Sequence, residues 1–199
     1  MTHGVGASIS VPTGDFGSIV EIGDYVYLFS NDGTNVICRR FNKADLTGGT
    51  NMTVPTVACT DNVTAWTDGV DVYLVSSSSQ TTSRKWSISG TTMSAVSTAT
   101  VTTGTFAQDF MSTFFDGTSA YVVESSPAND LITIHKLTAI DGSAFTDTTK
   151  RIENFSDADG GGLAINIDAT RMYVSMTRTH YNATAAIAYT IELMPITKP

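Results

Sequence analysis

One short phrase recurs four times along this chain: a turn, then a strand with a tyrosine at a fixed offset. Its clearest copy is Asp116-Gly117-Thr118-Ser119-Ala120-Tyr121-Val122-Val123, and Gly69, Gly23 and Ala169 precede Tyr73, Tyr27 and Tyr173 by the same four residues. Successive tyrosines lie 46, 48 and 52 residues apart. That period belongs to architectures in which each repeat is one supersecondary unit that buries its apolar face only against its neighbours. The residue types point to strands. Ser and Thr fill roughly a quarter of the chain, and 15% of its residues are charged against a typical ~25%. Thr with Val, Ile and Tyr is the composition of pleated, half-buried surfaces.

Read in order, each repeat predicts a four-stranded meander. The first covers 17–22, 25–30, 36–42 and 51–57, with Asn31-Asp32-Gly33-Thr34 as a hairpin signal. The second covers 63–67, 70–76, 83–88 and 95–101, and the third 110–115, 119–124, 131–137 and 146–152. The fourth covers 163–167, 171–176 and 185–194 and lacks a clear last strand. Residues 5–13 alternate like a strand and end in Val11-Pro12-Thr13, an echo of Val54-Pro55-Thr56 at the end of the first repeat. This spare strand is expected to complete the fourth unit and remove sheet edges open to pairing.

On these repeats the chain resembles a small β-propeller, an all-β fold of four blades over 17–57, 61–101, 106–152 and 160–194 closed by the N-terminal strand into a single domain. The alternative arrangement is half of an eight-bladed ring shared by two chains, so a homo-oligomer is one expected state. No WD, kelch or RTX signature is present to narrow the family.

A net charge of -8 and a pI near 4.6, with no cationic cluster beyond adjacent pairs such as Arg39-Arg40, exclude nucleic acid as a natural partner. Residues 1–8 carry no basic segment followed by an apolar core, and no apolar run approaches a membrane span. Cys38 and Cys59 read as small buried hydrophobes.

Asp68, Asp116 and Asp168 occupy one repeat position, the first two directly before a glycine, where turn chemistry favours aspartate, and are expected to build turns. The loops joining second to third strands and one repeat to the next share one end of the sheets and carry Asp32, Glu124, Asp130, Asp157 and Asp159 among their acids, which predicts an acidic ligand-binding face. Asp157-Ala158-Asp159-Gly160 is a candidate Ca²⁺ loop, although its spacing does not fit the EF-hand template. His180 and Tyr181, expected on a loop, pair an aromatic with hydrogen-bonding groups and suit a sugar or a protein surface. No catalytic motif occurs.

The expected function is therefore non-enzymatic binding or assembly through a loop face, to protein or glycan. Its composition resembles bacteriophage virion proteins, tail or capsid-associated, and the expected setting is a virion or the extracellular space. The alternative is a carbohydrate-active enzyme, with Glu124 and Asp157 or Asp159 as its carboxylate pair, or a secreted lectin.

Overall fold

The computed structural model describes residues 17–60, 63–77, 81–100, 110–126, 131–137, 145–151, 164–167, 171–182 and 185–197. These form antiparallel sheets taken up in chain order. The first sheet holds β1 (Ser18–Ile22), β2 (Tyr25–Asn31), β3 (Val36–Asn42) and β4 (Thr50–Asn51). The second holds β5 (Val63–Thr67), β6 (Val72–Ser77), β7 (Thr81–Ser89) and β8 (Thr92–Thr100). The third holds β9 (Phe110–Phe115), β10 (Ala120–Ser126), β11 (Leu131–Leu137) and β12 (Phe145–Arg151). The fourth holds β13 (Ala164–Ile167), β14 (Arg171–Asn182) and β15 (Ala185–Thr197). In every sheet each strand pairs with its neighbours in sequence.

Local chemistry explains the turns. Asp32-Gly33-Thr34-Asn35, Asp68-Gly69-Val70-Asp71 and Asp116-Gly117-Thr118-Ser119 are one device used three times. Each aspartate Oδ1 accepts the N–H groups of the residues two and three positions on, at 2.8–3.0 Å. The glycine that follows each aspartate sits at φ 86°, 95° and 91°, where a Cβ would be strained. The turn role expected for Asp68 and Asp116 is thus observed, while Asp168 lies outside the described residues.

The recurring tyrosine has a physical reason as well. Tyr73 donates its hydroxyl to Asp68 Oδ2 at 2.8 Å, and Tyr121 donates to Asp116 Oδ2 at 3.3 Å. Each buried ring reaches back to the carboxylate that shapes its own turn. In the first three sheets a cation stands directly opposite on the third strand: Arg40 faces Tyr27, Lys85 faces Tyr73 and Lys136 faces Tyr121, whereas in the fourth Tyr173 faces Pro195. Lys85 also bonds Asp71 at 2.9 Å, tying turn to third strand.

This clasp carries a pH dependence. Burial opposes the charge on Asp68, but the N–H groups of Asp71 and Val70, the Tyr73 hydroxyl and Lys85 outweigh it and hold the carboxyl below its usual value. A carboxylate depressed in the folded state stabilises it above the unfolded pKa of about 4, and that contribution is lost as pH falls through the folded value. The urea midpoint should therefore be level from neutral pH to about pH 5 and decline below about pH 4. Asp68→Asn should lower the midpoint at neutral pH and flatten the acid decline; an unchanged acid slope would remove Asp68 from this account.

The core lies between sheets. Tyr27, Phe29 and Cys38 of the first meet Ala65, Leu74 and Trp86 of the second. Trp66 stacks on Tyr73 at 5.8 Å, and the pair packs against Ala120, Val122 and Leu137 of the third sheet. Both tryptophans thus fill the space between repeats, and both cysteines, expected as small buried hydrophobes, are free thiols in buried positions.

First strands stand side by side, β1 against β5, β5 against β9 and β9 against β13. β5 pairs with β6 alone, so its other edge needs partners. Ser18 Oγ and Thr113 Oγ1 both donate to the Ala65 carbonyl at 3.1 Å, and Thr113 shares a 2.7 Å hydroxyl bond with Thr64.

Two expected elements differ. The last strand of the first sheet is Thr50–Asn51 rather than 51–57, because the chain changes partners at Thr53. Met52 N still donates to Cys38 O at 2.9 Å, but Thr53 N donates to Thr91 O and Thr53 O accepts from Met93 N, both in the second sheet. Pro55 follows with no N–H to continue a ladder. The other difference is β14, which runs to Asn182 instead of ending at Met176, because the polar run 177–182 zips against Ala185–Ile191. Residues 5–13 lie outside the described set.

Candidate ligand groove

The residues expected to bind ligand do not converge among those described. Asp32 lies in the turn between β2 and β3, its Oδ1 engaged by Thr34 and Asn35, whose N–H groups hold its carboxyl low. Glu124 is within β10, opposite Met111 and Thr133. His180 and Tyr181 are not on a loop: they sit inside β14, opposite Ala188 and Ala186, with a register shift between them. Asp130, Asp157 and Asp159 lie outside the described residues, and with them the candidate Ca²⁺ loop. Among the described residues no cluster of His, Cys, Asp and Glu fits a metal.

Acidic residues also stand at the other end of the sheets. Asp24, Asp45, Asp68, Asp71 and Asp116 lie at the opposite end of the sheets, in the connections from first to second and third to fourth strands. The reason is the turn device itself, which recruits aspartate at either end.

At that opposite end the first sheet opens into a groove of about 580 Å³ lined by Gly23, Asp24, Tyr25, Asn42, Lys43, Ala44 and Asp45. Two hairpin connections form it. Gly23 at φ 58° makes the tight turn of Gly23-Asp24, and register then sets Tyr25 opposite Asn42. The Asp24 carbonyl accepts Lys43 N at 2.8 Å, which draws the two loops together.

Each wall is fixed in place. Asp45 Oδ1 accepts both N and Oγ1 of Thr47, at 3.0 and 2.8 Å, and these bonds hold its carboxyl below the usual range. Asn42 Nδ2 donates to the same Thr47 hydroxyl at 3.3 Å. Lys43 pairs with Glu21, so its charge is already met. The Arg40 guanidinium lies 4.2 Å from the Tyr25 ring centre and is anchored by a 2.7 Å bond to the Gly90 carbonyl in the second sheet. A half-buried ring is thereby braced across two sheets beside two carboxylates and an amide. Sequence reading passed over this site because Tyr25 looks like a strand former and Asn42–Asp45 like an ordinary turn; the signal was the register that the Asp32–Asn35 hairpin turn implies between Tyr25 and Asn42.

No protein-family model matches the sequence, and no curated protein matches it. Solved structures do. A Bacteroides ovatus protein described as Xyloglucan PUL GH43B superposes on 94% of this chain with a TM-score of 0.59 at 12% identity. The GH43 BlXynB protein from Bacillus licheniformis superposes on 94% with a TM-score of 0.60 at 12% identity. The chain spans 40% and 42% of the length of these structures. Both are glycoside hydrolases built on β-propellers, and nothing in them bears on a virion resemblance. What the likeness shows is the fold: an all-β, β-propeller-like chain of antiparallel sheets.

Proposed function

We propose that this chain is a glycan-binding β-propeller module that holds a neutral polysaccharide segment in the groove beside Tyr25. The observation that carries the reading is the braced Tyr25 ring set in one groove with Asp24, Asn42 and Asp45. An aromatic ring offers a flat face to the C–H side of a sugar. Carboxylates accept from neighbouring hydroxyls, and an amide both donates and accepts. With Lys43 engaged by Glu21, the free charges of the groove are negative, which favours an uncharged polyol over an acidic sugar. The fold it shares with two glycoside hydrolases agrees with a carbohydrate ligand.

Binding is favoured over hydrolysis. Along the described first strands β1, β5, β9 and β13 Glu21 is the one carboxylate, and it is paired with Lys43. Glycosidic hydrolysis needs two carboxyl groups at a set separation. A hydroxyl-rich ligand suits either setting expected above, a virion or an extracellular protein. The groove needs only the first two sheets, so it is the same whether four blades close within one chain or a ring is shared by two.

Titration calorimetry with neutral xylo-, gluco- and manno-oligosaccharides tests this. Wild-type protein should bind one of them, and Tyr25→Ala should weaken binding about tenfold or more, the loss of roughly 1.4 kcal/mol of ring contact. Absence of binding to every neutral glycan, or equal affinity in Tyr25→Ala, would sink the proposal.

A further inference from the structure

We infer that Arg40 is the positioning residue of the Tyr25 groove, the side chain whose guanidinium geometry, and not merely its charge, sets the ring for a ligand; as a determinant of affinity it rests on the glycan reading above. The repeat supplies the comparison. Two residues before the recurring tyrosine stand Tyr25 in the first sheet, Asp71 in the second and Ser119 in the third. The cation facing that tyrosine is Arg40, Lys85 and Lys136 in turn. The first sheet departs from the next two at both places together.

In the second sheet the two positions close on each other. Lys85 bonds Asp71 at 2.9 Å and also meets the Tyr73 hydroxyl, while the rings at that end, Tyr73 and Trp66, are buried. In the first sheet a half-buried ring stands where the carboxylate is, and a guanidinium where the ammonium is. Arg40 keeps the bond to its own tyrosine, Tyr27, and sends the rest of its fork elsewhere. One nitrogen donates to the Gly90 carbonyl at 2.7 Å, and the central carbon lies 4.2 Å from the Tyr25 ring centre. The Tyr27 ring meets Tyr25 edge to face at 6.4 Å. An ion pair has given way to an aromatic platform.

An ammonium cannot serve these partners together. It is a compact point charge, whereas a guanidinium is planar, rests on an aromatic ring and donates from its rim at the same time. Lys85 shows what a lysine does at this position: it holds the tyrosine hydroxyl and one carboxylate. Arg40→Lys therefore keeps the charge and gives up the Gly90 anchor and the brace on Tyr25. A ring left to be ordered by its ligand lowers affinity.

Relaxation of the Tyr25 ring in the free protein, measured by NMR, and calorimetry with neutral oligosaccharides test this on wild type and Arg40→Lys. The wild-type ring should be as ordered as rigid backbone, with an order parameter of about 0.85, and Arg40→Lys should bring it below about 0.6. Affinity should fall about three- to tenfold. A merely structural role would lower the urea midpoint and leave the ring and the affinity of the folded protein as they were. A ring equally ordered in both proteins overturns the inference, and so does a loosened ring with unchanged affinity. If the ring loosens but the wild type binds no neutral oligosaccharide, the glycan reading falls while Arg40 stands as the residue that positions Tyr25. Should Arg40→Lys fail to fold, Arg40→Gln is read in the same way, and a mobile ring in the wild type overturns the inference without any variant.

Discussion

Trp86→Ala is expected to lower the free energy of unfolding by about 3–5 kcal/mol, read as a drop in the urea midpoint at unchanged m-value. Trp86 is 0% exposed and fills the space between the first two sheets, its ring centre 6.3 Å from that of Phe29. Alanine would leave a cavity walled by two sheets, each held by its own ladder, so neither can collapse to fill it. Trp86→Phe separates volume from polarity. The indole N–H has no hydrogen-bond partner among the described residues, so phenylalanine loses volume but also removes a buried donor. It should cost well under half as much. Equal costs for the two variants would mean that the indole N–H is satisfied and contributes, which would contradict the packing account.

Gly17→Ala is expected to destabilise by about 3 kcal/mol or more, an overpacking effect at the strong end of its range. A Cβ on Gly17 would fall 1.4 Å from the Phe29 carbonyl oxygen and 2.4 Å from its carbon. Both are backbone atoms of β2, so no side-chain rotation relieves the clash. The residue marks a close approach of two backbones where β1 begins. Since Ser18 is paired with Phe29, the strain would spread into the β1–β2 ladder and from Ser18 to the Ala65 carbonyl. Chemical unfolding of the variant is the check; a cost below about 1 kcal/mol would mean that residue 17 moves aside freely, and the approach would have no structural weight.

The sheets were legible because two local signals agreed. Turn chemistry put Asp-Gly where a positive φ was needed, and alternating β-branched and aromatic residues ran between the turns. Asp68 and Asp116 could be read as turn builders for that reason. Asp32 carried the same Asp-Gly signal and was expected in a hairpin, but it was expected to bind ligand as well, because nothing in a single sequence distinguishes an aspartate that only shapes a turn from one that also offers its carboxylate to a ligand. His180 and Tyr181 illustrate the converse failure: a polar run with a histidine resembles a loop tip, yet pairing along the whole of β15 makes it strand. The groove was hidden for a third reason. Tyr25 and Asn42 meet only through strand register, and Arg40 reaches its brace at Gly90 only because two sheets pack at one particular offset. The first leaves a mark in the spacing across the Asp32–Asn35 turn; the second is a property of tertiary packing and leaves none.

The partner change at Thr53 links the first sheet to the second in a way that bears on how the molecule opens. Met52 belongs to one ladder and Thr53 to the next, with Val57 and Cys59 then returning to bond Val36 and Thr34. Residues 52–59 therefore act as a stitch. Neither sheet can loosen without breaking bonds that order the other, so the first two sheets form a single foldon rather than two, and local openings that would let one sheet fray are suppressed in both. The Arg40 brace beneath Tyr25 spans this same foldon. The ring is consequently held with the rigidity of two sheets, and any ligand that rests on it meets a surface whose shape is set before it arrives.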